Sequence, residues 1–226
     1  MKCWNQRVRV VLVALSALYV SGLQAGHNDT AYAVTITNIT KGEIFTPIMV
    51  ASHKYGVSLF ELGSPASGEL EILAESGNNV PLSESLLENG ALDVVSTEGG
   101  LPPGQSVTLF VKTNRHYNRV SVASMLVPTN DAFFAVNGIR GPKKMHRTKT
   151  VMSPAYDAGT EINDEMCVSI PGPAFICTGE GHNEEGGEGY VYIHSGIHGI
   201  ADLNEAAHDW RNPVAKITIR KVRVED

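Results

Sequence analysis

Tyr32-Ala33-Val34-Thr35-Ile36-Thr37-Asn38-Ile39 alternates with a period of two: Tyr32, Val34 and Ile36 share one face, while Thr35 and Thr37 take the other. Successive side chains of a strand point to opposite sides, so this pattern predicts a strand with one buried face. It returns near the C-terminus, where Ile217, Ile219 and, as a further member, Val222 are set against Thr218 and Arg220. Similar β-rich stretches run over 44–50, 106–111, 120–127, 190–194 and 215–224. The 22 glycines and 11 prolines are spread along the chain, as turns between short strands would be. One-sided strands of this kind are the material of an all-β sandwich. Two stretches read as helix instead: Val57 to Phe60 leading into 67–75, where Leu70, Leu73 and Ala74 share a face, and Pro81 to Glu88. Both lie between strands and are expected to decorate a connection rather than form a separate domain.

The N-terminus carries Lys2, Arg7 and Arg9 without an acid, then an apolar run from Val10 to Val20, then Ser21-Gly22-Leu23-Gln24-Ala25. A positive start, a short apolar core and small residues at the exit are the parts of a secretory signal peptide. The run is too short to cross a bilayer, which takes roughly 20 residues. We expect residues 1–25 to be a signal peptide, cut after Ala25 or, failing that, after Gly22. Residues 26–226 then form one exported domain, periplasmic or secreted, with no transmembrane segment after cleavage. Removing Lys2, Arg7 and Arg9 takes the formal charge from -6 to about -9, which disfavours nucleic acid as a partner and suits cations. Two cysteines remain, Cys167 and Cys177. An even count in an exported chain favours a disulfide over two free thiols or half of a zinc site.

Two acidic turns carry the chemistry. In the first, the apolar run to Val127-Pro128 gives way to Thr129-Asn130-Asp131, with Asp131 at the tip. In the second, Tyr156-Asp157-Ala158-Gly159-Thr160-Glu161 sets two carboxylates four residues apart around a small, tightly curving backbone. Calcium takes six to eight oxygens from carboxylates, carbonyls and water, which such turns can supply. Acidic turns are also common as solvated loops, so the spacing alone leaves both readings open.

These two turns resemble motifs of the spondin domain family. The stretch ending in Pro128-Thr129-Asn130-Asp131 is similar to its Ser-Pro-Asp-Trp turn, and Tyr156 to Glu161 to its Trp-Asp-Ala-Gly-Thr-Asp motif. Tyr32 to Asn38 leading to Phe45-Thr46-Pro47, and Asn212-Pro213-Val214-Ala215-Lys216-Ile217-Thr218-Ile219, resemble its first and last strands. The resemblance implies an antiparallel β-sandwich with short helices in its loops, found in extracellular matrix proteins and, alone, in bacterial secreted proteins; the chain looks like the stand-alone form. It further implies one calcium ion (Ca2+) held by Asp131, Asp157 and Glu161, and a non-catalytic binding or adhesion role toward an extracellular or envelope protein or glycan. The chain departs from the family in having Glu161 as the last acid and in placing Ala132 before the aromatic Phe133.

The remaining candidates are His194, Ser195 and His198, with Asp202 and His208 nearby, which suggest a metal-dependent hydrolase as the competing class. His194 and His198 straddle Gly196, however, and Ser195 sits in no Gly-x-Ser-x-Gly elbow. An envelope scaffold with purely structural calcium is the third reading. The acidic run 179–189 reads as a mobile loop, 143–147 as a basic solvated loop with a polyanion contact as the lesser alternative, and Trp210-Arg211 as a lock before the last strand.

Overall fold

The computed structural model describes residues 30–182 and 186–224; the expected signal peptide falls outside them. Two antiparallel sheets face each other. One is built from β1 (Thr30–Asn38), β5 (Ser106–Thr113), β8 (Thr148–Ser153) and β11 (Ala215–Arg223), in the order β5-β1-β11-β8. The other takes β3 (Met49–His53), β4 (Ala91–Ser96), β6 (Arg119–Val127), β7 (Ala132–Arg140), β9 (Ala155–Asp157) and β10 (Tyr192–Ile193), in the order β10-β9-β7-β6-β3-β4. β2 (Ile44–Phe45) pairs with β6 off this path. The stretch expected as one strand over 44–50 is therefore two, broken at Pro47, which has no N–H to give a ladder.

The alternation of β1 places Tyr32, Val34 and Ile36 in the space between the sheets, where they meet Ile217 and Ile219 of β11 and Val122, Phe134 and Val136 opposite. Full burial of side chains of this size contributes roughly 1.5–3 kcal/mol each. Val222 is the exception to the predicted face. A period of two carries it to the outer side of β11, where it packs with Ala31 and Ala33. Thr35 and Thr37 do lie outward, bonded to Thr108 and Ser106 on β5 at 2.8 Å each.

α1 (Gly68–Ser76) and α2 (Val80–Asn89) form where expected, α1 capped by the Ser67 hydroxyl. They do more than decorate a connection. Leu70, Leu73, Leu82 and Leu86 cover Met49, Ala51, Ala123, Phe133 and Ala135 on the back of the second sheet, forming a second core. This explains why β6 and the first half of β7 are buried on both faces. A third helix, α3 (Glu205–His208), was not anticipated; it is a single turn packed over the segment after β1.

Cys167 and Cys177 form the expected disulfide, Cα atoms 4.7 Å apart, and Cys177 and Ile170 enter the main core. Closing so short a loop should stabilise by roughly 2–3 kcal/mol through the unfolded chain. We expect Cys167→Ser/Cys177→Ser to lower the unfolding free energy by about that amount in urea titration while leaving the sheets intact by circular dichroism.

Glu43 is wholly buried, and neither of its carboxylate oxygens has a hydrogen bond among the described residues. His208 Nδ1 stands 3.4 Å from its Oε1. Burial pushes the Glu43 carboxyl up to about 7, against the opposing pull of His208. The folded chain thus keeps a proton that the unfolded chain has already lost, so stability falls as pH rises from about 4.5 to 7. Glu43→Gln should remove this loss: its Tm should exceed the parent's above pH 7, by up to about 3 kcal/mol in stability, and converge with it in acid.

Candidate functional site

The pairing of β7 with β9 builds the site. Its register sets Ala132 opposite Asp157 and Phe133 opposite Tyr156. Asp131, one residue before β7, therefore lies beside the end of β9, and the Ala158 N–H donates to its carbonyl at 3.3 Å. Phe133 packs against Tyr156, ring centroids 5.6 Å apart, and both rings pack on Phe60. The aromatic that follows Ala132 thus has a definite place: it joins the two motifs across the strand pair, on the helix-covered face.

The carboxylates order the loops around them. Asp131 Oδ2 accepts from the Thr160 N–H at 2.8 Å, the Glu161 N–H at 3.1 Å and the Thr160 hydroxyl at 3.3 Å. Asp157 Oδ1 accepts from the Gly159 N–H at 2.8 Å, and Oδ2 from the Asn163 amide at 2.8 Å. Gly159 has φ +69, and a Cβ there would stand 2.3 Å from the Tyr190 carbonyl oxygen, so the tight curve admits no larger residue.

Asp131, Asp157 and Glu161, the three predicted ligands, are all buried. Among the described residues no Lys or Arg forms an ion pair with any of them; the nearest base is His194, 3.7 Å from Asp157. Burial raises the Asp131 carboxyl, and the neighbouring Asp157 raises it further. Burial likewise raises Asp157, against several hydrogen bonds to its charged form. Glu161 is pushed up to about 8 by burial, then by the charges of Glu75 and Asp131. Such a group cannot be fully ionised at neutral pH without a counter-charge. Asp131 Oδ1 is buried and accepts no hydrogen bond among the described residues.

The structure adds Glu75, which the sequence reading missed. It lies in the last turn of α1, is fully buried, and acts electrostatically on Glu161. Burial raises its carboxyl as well. A signal was there: an acid in a helix's last turn with no base beside it opposes the helix dipole and needs compensation. His182 Nδ1 bonds Glu75 Oε2 and lies 3.8 Å from Glu71 Oε1. The acidic segment read as a mobile loop therefore supplies a side chain here. Its far end is tied down too, with the Gly187 and Gly189 N–H groups donating to the Thr160 and Gly159 carbonyls.

The histidine segment divides between separate tasks. His194 is buried, and burial pushes it down to about 4, so it is neutral. Its Nδ1 accepts from the Gly196 N–H at 3.0 Å, which leaves the proton on Nε2, 3.2 Å from the Asn163 side-chain oxygen. Asn163 passes this on to Asp157, so His194 orients the acidic site from behind. His198 Nε2 pairs instead with the Ser195 hydroxyl at 2.9 Å, in a cavity of about 390 Å³ that also contains Glu205, Asp209 and Arg211. His208 belongs to the Glu43 pair. Trp210 is buried against the His194 ring, centroids 5.0 Å apart.

The family model of the spondin N-terminal domain (Spondin_N) matches residues 28–166, more than half of the chain. The chain belongs to the spondin N-terminal domain family. No curated protein gives a significant match. The matched span of this spondin domain holds both acidic motifs and α1, and it ends before the disulfide closes. β11 lies beyond the match, yet it fills the position between β1 and β8. The Asn212–Ile219 stretch, expected as the last strand, enters that strand at Ala215.

Replacing Asn163 with Ala removes the amide donor to Asp157 and the acceptor for His194. Leaving these buried groups unpaired should cost about 1–3 kcal/mol in a denaturant titration of chelator-treated protein.

Proposed function

We propose that this spondin-domain protein is a calcium-binding, non-catalytic binding or adhesion module that works in the periplasm or outside the cell. The observation that carries this reading is the buried Asp131 Oδ1, which accepts no hydrogen bond among the described residues and lies beside the Asp157 carboxylate, with no Lys or Arg of those residues paired to either. A hard divalent cation is the partner that such an oxygen-only set fits. Asp131, Asp157 and Glu161 would hold it, with Glu75 beside them. The cation would supply positive charge and join the turn before β7, the loop after β9 and the end of α1. His194 and Asn163 would keep Asp157 oriented, a supporting role of the kind that tunes metal affinity.

Export supports the same reading. Spondin domains are extracellular, and a Cys167–Cys177 bridge suits an oxidising compartment. A site made mainly of loop carboxylates tends toward the weak affinity of extracellular calcium modules, roughly 10⁻⁴–10⁻³ M. The hydrolase reading keeps one point in its favour, the Ser195–His198 hydrogen bond. Against it, both ring nitrogens of His194 are already engaged.

The test is a melting experiment on chelator-treated protein at two pH values. Without metal, the raised carboxyl of Glu161 makes stability fall as pH climbs from about 4.5 toward 8. Calcium should reverse that fall. At tenfold its Kd it should add about 1.4 kcal/mol at pH 8, clearly less at pH 5, and nothing to Asp157→Ala. An unchanged Tm at pH 8 would sink the metal reading. Zinc retained through purification and lost in His194→Ala/His198→Ala would favour the hydrolase.

A further inference from the structure

The charge of this acidic protein is sorted by position. Between Arg115 and Lys149 the sequence has seven Lys or Arg residues and one acid, Asp131. The fold then separates that acid from the bases. β1 begins, β5 ends, β6 begins, β7 ends and β11 ends at one pole of the sandwich, as the pairings Thr30 with Thr113 and Arg223, and Arg119 with Arg140, require. Asp131 and the other site acids lie at the opposite pole. Among the described residues, none of the Lys or Arg side chains at this basic pole has a carboxylate in ion-pair range. Asp29, Glu225 and Asp226 adjoin it in sequence and fall outside the described residues.

Two concavities open here, on either side of the end of β11. One, about 500 Å³, is lined by Arg115, Arg140, Lys143 and Lys221 around the Tyr32 ring edge. The other, about 660 Å³, has Arg220, Arg223 and His146 facing Phe110, Met145 and Val222. The loop between them is fixed rather than loose. The Gly141 N–H donates to the Asn118 carbonyl at 2.9 Å, the His146 N–H to the Lys221 carbonyl at 2.9 Å, and the Lys221 N–H to the Arg147 carbonyl at 3.3 Å. Gly141 lets the loop cross directly over Tyr32, since a Cβ would come within 2.4 Å of that ring. The basic loop, for which the sequence left a polyanion contact as the lesser alternative to a solvated face, is a backbone-anchored platform for cations.

We infer that this pole is a binding surface for an acidic polysaccharide, whose successive sulfate or carboxylate groups bridge the two concavities. Like charges gathered without partners raise the local potential and draw an anion. Cations in two separate hollows fit charges spaced along a chain better than a single small anion. Phe110, 62 % exposed beside Arg220, offers an aromatic face for the C–H side of a sugar ring. The concave, divided shape disfavours a flat membrane.

The probe is a heparin octasaccharide, titrated in chelator and 0.15 M salt so that the result is independent of the metal site. Saturable binding is expected, and Arg140→Gln/Lys143→Gln should weaken it about tenfold and flatten its salt dependence. Lys41→Gln/Lys216→Gln, away from this pole, should stay within about twofold of the parent. Both pairs are solvent-exposed, and matching Tm values would show that the variants are folded; Lys143→Gln alone serves if the double variant is not. No saturable binding, or equal loss in both pairs, would overturn the inference. So would tighter binding of an oligothymidylate of equal charge or of phosphatidylglycerol vesicles.

Discussion

Asp131 and Asp157, buried carboxylates that no Lys or Arg of the described residues pairs, are held at one end of this sandwich by the pairing of two short strand ends. β7 and β9 can meet in only one register if Phe133 and Tyr156 are to stack beneath the helices, and that register sets Asp131 beside Asp157. A slip of β9 by one residue would turn Tyr156 away from Phe133 and the helix-covered core and shift Asp157 relative to Asp131. Apolar packing on one face of the strand pair thus fixes the geometry of a polar site at its end. The repulsion between the acids is borne by the rest of the fold, chiefly by backbone N–H groups donated to Asp131 and Asp157.

The helices take part in the same arrangement. α1 covers the second core with Leu70 and Leu73 and carries Glu75 to the site from its last turn. The acidic loop after the disulfide then closes over that turn through His182. A cation bound there would connect β7, β9, α1 and this loop, segments far apart in sequence. Metal binding and the stability of the whole end of the domain would therefore be thermodynamically linked.

The opposite pole obeys the reverse electrostatic rule. Most of its cations are exposed, where hydration makes unpaired charge tolerable, and they stand at strand ends and on the loop 141–147 that backbone hydrogen bonds anchor to Asn118 and β11. The net charge of -6 describes neither end of the molecule. It averages an acidic pole with buried carboxylates and a basic pole whose guanidinium and ammonium groups have no carboxylate in ion-pair range among the described residues. A partner meets one end or the other.

Local chemistry made much of this legible in the sequence. The period of two in Tyr32–Ile36 and Ile217–Ile219 follows from the pleat, and the apolar face of α1 from the helical repeat, so strands, helices and buried faces could be read directly. Val222 escaped because its face depends on strict parity along β11, which an apolar residue there obscures. The two acidic motifs and the cysteine pair were visible because each is carried by a short contiguous stretch or a simple count. Glu75, the task of His194, the break at Pro47 and the two charged poles were not visible, because each depends on segments distant in sequence. Sequence alone determined which residues could be buried and which could bind. Only the tertiary structure decided which carboxylates share one desolvated site, since strand register and the docking of α1 set those distances.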